Sequence, residues 1–526
     1  MSDIVHSSLK SAVKGSTIVF LGMVGSILLW FATKVLIVRN TTKEELGIYS
    51  IVVAVVGILS LLAGLGIQEG VPRYISLFLG EGKKNEAKAI SRTAIITGLI
   101  SGTAFFLFLF LFSGPIARYV FYKPELRVPL LIISFFIPLT VISTNIVGIL
   151  RGYNMIYPRV FFFDIGQPFF FLLLLGLFFI MRLPFTSIFY AYSFSMSLVL
   201  LSLGAYYLAK IELPQPQLAT IPQRYGRELI KFSAPLLMAS VLGIVLTWCD
   251  TLILGRYTRA EEVGLYNVSI SLAKLLTFPI MALEFVYMPI AGELYIKKQY
   301  SELKRTYQVL TKWNFLVTLP IFFVLFFFPE MTITFLFGAR FLDSSQALRI
   351  LSLSFLFHAF LGSNGLLLII MNRTKALMHI STFVVLLNIF LNYILVKHFG
   401  LGKVGASVAT LISYLALNII ISLILYKISN IHPLTPQYLK PIILSSIIGL
   451  AIYAIAKSFP LNIWMLPVYF LMYLGAYFVS VVFTRSLERE DLEMFETLSE
   501  KLGFEMWSVK KIIYRFIKKN NDKTRQ

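Results

Sequence analysis

Apolar residues run along this chain in stretches of about twenty, broken by short clusters rich in Lys, Arg, Asn, Gly and Pro. A helix needs ~20 apolar residues to cross the hydrocarbon of a bilayer, because each residue advances it by only ~1.5 Å. On that scale the pattern predicts spans at 16–38, 46–67, 90–112, 128–150, 159–180, 186–209, 230–254, 263–287, 309–328, 347–371, 379–396, 404–426, 438–458 and 463–484. The runs at 46–79 and 263–290 exceed one membrane thickness and are divided on that ground. The expected fold class is therefore all-α and polytopic, with about fourteen transmembrane helices.

Composition agrees with this pattern. Of 526 residues, 57% are hydrophobic and only 14% charged, and mean hydropathy is +0.80. A soluble chain has no means of covering that much apolar surface, and the chain shows none of the regular polar linkers that would divide it into soluble domains of ~100–200 residues. The formal charge of +21 would suggest nucleic acid in a soluble protein. In a membrane protein Lys and Arg collect in cytoplasmic loops, so no nucleic-acid partner is expected. A single cysteine, Cys249, excludes an internal disulfide and a Cys-rich metal site. The polar start Met1 to Ser16 runs into a full-length span, unlike a cleavable signal peptide.

Loop charge sets the orientation. With the N-terminus inside, 21 loop Lys and Arg fall on the inner side and 13 on the outer, and the tail adds ten more inside. This bias predicts an even number of spans, both termini in the cytoplasm, and a multi-pass protein of the cell (plasma or inner) membrane. The tail over 485–526 begins acidic, ends basic, and carries Phe504, Trp507, Ile512, Ile513, Phe516 and Ile517 on one helical face. It reads as a cytoplasmic amphipathic segment lying against anionic headgroups.

The chain also repeats itself. Arg39-Asn-Thr-Thr-Lys-Glu44-Glu45-Leu-Gly47-Ile-Tyr49 joins the first two spans, and Arg256-Tyr-Thr-Arg-Ala-Glu261-Glu262-Val-Gly264-Leu-Tyr266 joins the seventh and eighth. Arg39/Arg256, Glu44/Glu261, Glu45/Glu262, Gly47/Gly264, Tyr49/Tyr266 and Pro72/Pro289 all share one offset of 217 residues. Two Glu in a first turn complement the helix dipole, Gly permits close helix approach, and Tyr suits the membrane interface. Six spans separate the copies, so the lobes run parallel. The expected organisation is an N-terminal lobe over 1–209, a cytoplasmic linker over 210–229, a C-terminal lobe over 230–427, an added helix pair over 438–484, and the tail.

The Arg-x4-Glu-Glu-x-Gly-x-Tyr hairpin resembles that of the polysaccharide-export flippases, the O-antigen and lipid-linked oligosaccharide branch of the MOP superfamily. Asn388-x3-Asn392-Tyr393, followed by Gly400-Leu-Gly402-Lys-Val-Gly405-Ala406-Ser-Val-Ala409-Thr410, is similar to the Asn-rich helix and Gly/Ala-rich helix start of those proteins. The resemblance covers roughly residues 10 to 427, and the added pair is similar to the fourteen-helix layout of members such as the lipid II flippases. It implies a flippase that carries a polyprenyl- or dolichyl-pyrophosphate-linked glycan from the cytoplasmic to the outer leaflet. It also implies a V-shaped pair of lobes around a cationic cavity, working by alternating access.

Ionisable and polar side chains inside spans are costly and are the candidate site. Lys274 lies mid-span, too deep to reach the headgroups easily, and suits a pyrophosphate. Lys34, Arg73 and Arg92 are further candidate anion contacts, with Arg92, Arg151 and Arg373 around the cytoplasmic mouth. Asn145 and Asn364, at nearly corresponding repeat positions, are candidates for sugar hydroxyls or for bridging helices. Asp250, Glu69, Glu284 and Asp164 are candidates for gating or ion coupling, with His358 a further polar residue within a span. Lys34 and Asp250 stand at almost equivalent places, Asp250 corresponding to Thr33, and a pair between them would close an outer gate. Glu69 and Arg73, one turn apart, are expected to neutralise each other.

No Gly-x4-Gly-Lys-Ser/Thr loop, His-Glu-x-x-His motif or large external loop is present, so no enzyme, cofactor or metal is expected. Membrane lipids and a lipid-linked glycan are the expected partners, with glycan-assembly enzymes possible and a monomer the expected state. The alternative is a cation-coupled exporter of the multidrug and toxic compound extrusion branch. Those members resemble twelve-helix chains with an acidic residue in helix one, where this chain has Lys34.

Overall fold

The structure, a computed structural model, describes residues 2–211, 223–458 and 463–483. Most of the expected linker and the tail over 485–526 lie outside the described residues. The chain forms α1 (Ser2–Asn40), α2 (Lys43–Ala63), α3 (Ile67–Gly80), α4 (Lys84–Pro115), α5 (Arg127–Ile133), α6 (Phe136–Gly152), α7 (Gly166–Ile180), α8 (Ser187–Lys210), α9 (Gln223–Tyr257) and α10 (Ala260–Ala273). There follow α11 (Phe278–Ile296), α12 (Tyr300–Phe327), α13 (Pro329–Phe337), α14 (Ser345–Leu361), α15 (Asn364–Ile370), α16 (Thr374–Asn392), α17 (Gly402–Ser429), α18 (Pro436–Lys457) and α19 (Leu466–Phe483). No strand occurs among the described residues.

Twelve of these segments are long and apolar enough to cross a membrane, and a thirteenth is the bent pair Ala339–Leu361 and Asn364–Ile370, turned by 42°. Leu466–Val481 is apolar but shorter. The fold is thus the expected all-helical, multi-pass one, while the count of fourteen holds only if the bent pair and the short helix both span. The long runs at 46–79 and 263–290 are broken helices. In the first, Leu65 and Gly66 take positive φ of 50° and 70°, and α2 gives way to α3 inside one span, Lys43–Gly80. Only glycine adopts that backbone without a Cβ penalty, so Gly66 fixes the break. In the second, a 3-10 turn over Lys274–Thr277 separates α10 from α11.

Helix starts follow local chemistry. Thr42 caps α2 in a full capping box with Glu45, its hydroxyl accepting from the Glu45 amide. Glu44 and Glu45 in α2, and Glu261 and Glu262 in α10, occupy the first turns as their charge demands.

Two compact units result, Met1–Asn267 and Val268–Gln526. The first contains α9 and the start of α10 as well as α1 to α8. Within it α6 lies close to α3 and α4 because Gly148 meets the backbone of Gln68, Gly152 meets Ile75 and Gly102 meets Pro138. Small residues let membrane helices gain dispersion contacts that a lipid-facing surface cannot offer them. Large side chains such as Leu111, Leu201 and Ile180 stay exposed, as lipid-facing positions should. In the second unit α18 and α19 pack on α12 through an aromatic seam. Phe323 stacks on Tyr473 at 3.9 Å, Phe328 on Tyr469 at 5.3 Å, and the Tyr477 hydroxyl donates to the Leu316 carbonyl at 2.8 Å.

Candidate functional site

The first unit brings the two copies of the duplicated hairpin together. A methyl group at Gly47 would strike the carbonyl of Ala260, and one at Gly264 would strike the carbonyl of Lys43. The contact is reciprocal: each copy's glycine faces the helix start of the other. Lys43 Nζ then pairs with Glu261 Oε1 at 3.1 Å across the same seam. Glycine at the shared position, which the repeat alone marks as structural, therefore serves contact between the copies.

Around this seam each copy binds its own polar residue. The Tyr266 hydroxyl donates to Asp250 Oδ2, both side chains fully buried, and Asn267 donates to Thr251 Oγ1 at 3.3 Å. In the other copy Lys34 Nζ lies 5.7 Å from the centre of the Tyr49 ring, within cation–π reach. The equivalent tyrosines thus hold a carboxylate on one side and an ammonium on the other.

Two cations, Lys123 and Arg256, anchor this region. Lys123 is buried, and its ammonium donates to the carbonyls of Gly255 and Thr258, the latter at 2.7 Å, closing the C-terminus of α9. Burial pushes Lys123 below the ordinary lysine value, while Glu125 opposes the shift and Arg256 adds to it. Arg256 donates to the Val120 carbonyl at 2.7 Å and lies 3.9 Å over the Tyr122 ring. Little in the local sequence marks Lys123: its ammonium also donates to the nearby Phe121 carbonyl at 3.3 Å, but its two shorter bonds go to acceptors 132 and 135 residues away.

At the other end of the unit a small cavity of about 100 Å³ lies between α3, α6 and the π-helical turn Arg159–Ile165. Glu69 and Arg151 line it and pair at 2.9 Å, and Arg151 also reaches the Gln68 carbonyl. Arg159, on the same wall, lies 3.5 Å from Asp164. The expected Glu69–Arg73 pair does not form. The α3–α6 packing aims Glu69 at Arg151, while Arg73 sits 4.4 Å over the Phe232 ring of α9. Arg92 is exposed on α4. Asn145 is fully buried and its amide donates to the Ala94 carbonyl at 2.9 Å, a bridge from α6 to α4.

In the second unit Lys274 heads the 3-10 turn that breaks its span, half-buried. A 3-10 interruption inside a helix is a common place for a hinge. Glu284 lies beside the Ser363 hydroxyl, and Asn364 donates to the Asn418 carbonyl and to Ser422 Oγ. His358 Nδ1 is 3.1 Å from Asn418 Oδ1. Glu284, Asn364 and His358 thus meet at the bend between α14 and α15, where Gly362 takes φ 66°. Among the described residues no group of His, Cys, Asp and Glu has the geometry to hold a metal ion.

With this geometry in view, the likenesses to known proteins are specific. An uncharacterized membrane protein of Methanocaldococcus jannaschii is 20% identical over 77% of this chain and 82% of its own length. A probable low-salt glycan biosynthesis flippase of Haloferax volcanii is 24% identical over 36% of this chain and 40% of its own. The lipid II flippase MurJ in an inward closed conformation shares the fold with a TM-score of 0.72 at 18% identity, over 89% of this chain and 98% of its own. A MatE family model matches residues 235–394. The model of the polysaccharide biosynthesis protein family matches residues 12–295, a stretch containing both copies of the duplicated hairpin, and this chain belongs to that family.

Proposed function

We propose that this protein is a flippase that moves a polyprenyl- or dolichyl-pyrophosphate-linked oligosaccharide from the cytoplasmic to the outer leaflet by alternating access. The observation that carries the reading is the polysaccharide biosynthesis family match over residues 12–295, and a relative named as a probable glycan biosynthesis flippase supports the kind of activity. The residues are compatible with it. Lys274 stands at a helix break in mid-span, where a compact cation meets a phosphate with little competition from water. The added helices α18 and α19 give α12 an apolar flank suited to a long lipid tail.

The test is a leaflet-accessibility assay in proteoliposomes loaded with defined lipid-linked glycans. Lys274→Ala should abolish translocation while the protein keeps its helical content and its monodispersity in detergent. Undiminished translocation by that variant would remove Lys274 from the pyrophosphate path.

A second reading has one observation in its favour, the MatE match over 235–394, which includes Asp250 and Glu284. Under it the protein exports a cationic small molecule in exchange for a cation. The same proteoliposomes decide: uptake of a cationic dye driven by a proton or sodium gradient, with no movement of glycolipid, would favour the exporter.

A further inference from the structure

Within the second unit, the span that breaks between α14 and α15 is held by side chains from other helices. α14 ends at Leu361, Gly362 takes φ 66°, and α15 begins at Asn364 with its axis turned by 42°. Such a break leaves the last carbonyls of the first half-helix without intrahelical donors. Each of three finds a side chain instead. Asn314 Nδ2 donates to the Ala359 carbonyl at 2.9 Å, and the hydroxyls of Tyr438 and Tyr307 donate to Phe360 and Leu361, both at 2.6 Å. Thr311, one turn on from Tyr307, packs against the break, where a methyl group at Gly362 would strike its hydroxyl.

A set of oxygens is left over at the same place. Thr311 Oγ1, Asn314 Oδ1, Ser363 Oγ and Tyr287 Oη are buried and have no hydrogen-bond partner among the described residues. Their side chains belong to residues no more than 2% exposed. Because the Asn314 amide nitrogen is committed to Ala359, its oxygen is the atom that remains. Ser363 stands beside the half-buried carboxylate of Glu284, and Tyr287, one turn further along α11, lies near Tyr307. Among the described residues Glu284 takes part in no ion pair. Orphaned oxygens around a carboxylate inside a span are costly unless something positive binds them.

We propose that this cluster at the α14–α15 break binds a monovalent alkali cation, sodium, through Glu284, Ser363, Thr311, Asn314 and Tyr287. Hard oxygens suit such an ion, whereas transition metals favour the imidazole and thiolate groups that the cluster lacks. A single carboxylate balances one positive charge, and a divalent ion would stay half-compensated in apolar surroundings. The C-terminal end of α14 points its negative pole at the same place. An ion held there joins α11, α12 and both halves of the broken span, so its binding and release bias the bend. The inference rests on neither transport reading, since binding is measured without cargo.

The experiment measures binding of radiolabelled sodium to the full chain, purified in detergent with choline replacing sodium at constant ionic strength. Saturable, single-site binding is expected. Glu284→Gln should weaken it at least ~tenfold, and Ser363→Ala or Thr311→Val about tenfold. Glu302→Gln, which alters an exposed carboxylate in the first turn of α12, should leave it unchanged. Circular dichroism and thermal unfolding in choline identify the variants that fold as the parent does. Sodium should raise the unfolding temperature of the parent and leave that of Glu284→Gln in place. No saturable sodium binding by the parent, or parent-like binding by the folded Glu284→Gln and Ser363→Ala variants, would overturn the proposal. Tighter binding of calcium than of sodium would overturn the monovalent assignment.

Discussion

Lys123 shows how a single side chain can be misread from sequence and decisive in the fold. In a loop it counts as one more external cation, yet it is buried and donates to two carbonyls at the end of α9. Lys123→Met keeps the apolar stem and leaves those carbonyls without their donor, which costs about 1–3 kcal/mol for buried polar groups. The expected result is a lower unfolding temperature in detergent with helical content unchanged at the start of the melt. Glu69 presents the opposite case. Its pair with Arg151 is more than a third exposed on both sides, so its contribution to stability is at most about 1 kcal/mol. Glu69→Gln should therefore barely move the unfolding temperature. If it nonetheless slows translocation several-fold, the pair works in gating; unchanged transport would reduce it to surface neutralisation.

At the scale of elements, the duplication was legible because six identities at one offset leave little room for chance. The use of its glycines was not. Period and residue type show that Gly47 and Gly264 permit close approach, but the surface that approaches is another copy of the same motif, more than two hundred residues away. The Glu69–Arg73 expectation failed for a related reason. Helical spacing makes the two residues neighbours, while tertiary packing offers each a different partner, a guanidinium for one and an aromatic face for the other. The broken spans were visible only as excess length, since the place of a break depends on a positive φ at Gly66 or a 3-10 turn at Lys274. A direct check follows from the backbone contacts. Gly47→Ala should force the hairpins apart and destabilise by about 1–3 kcal/mol, as overpacking does. Gly264→Ala should do the same, and because both act on one seam the double variant should cost less than the two losses added together. Additive losses measured by thermal unfolding would show that the two contacts are independent.

For the molecule as a whole, composition and periodicity were enough for an all-helical membrane protein, and the hairpin motif was enough for the family. Charge patterning carried less, because the same Lys or Arg serves as a topology signal, a helix cap or a ligand depending on what packs against it. The proposed alternating access would make a sharp demand on the seam between the hairpins: a seam that closes one side must open once per cycle. Lys43 and Glu261, in contact at 3.1 Å, are the positions at which to hold it shut. The only native cysteine, Cys249, is buried, so a Lys43→Cys, Glu261→Cys variant presents two reactive thiols against a quiet background. A short bifunctional thiol reagent should join them in high yield and stop glycolipid translocation in proteoliposomes. A cleavable version of the reagent should restore transport on reduction, and each single-cysteine variant should be insensitive to the same treatment. Full translocation by the cross-linked protein would mean that the paired hairpins stay together throughout the cycle, and that the duplicated glycines are a fixed joint around which other helices move.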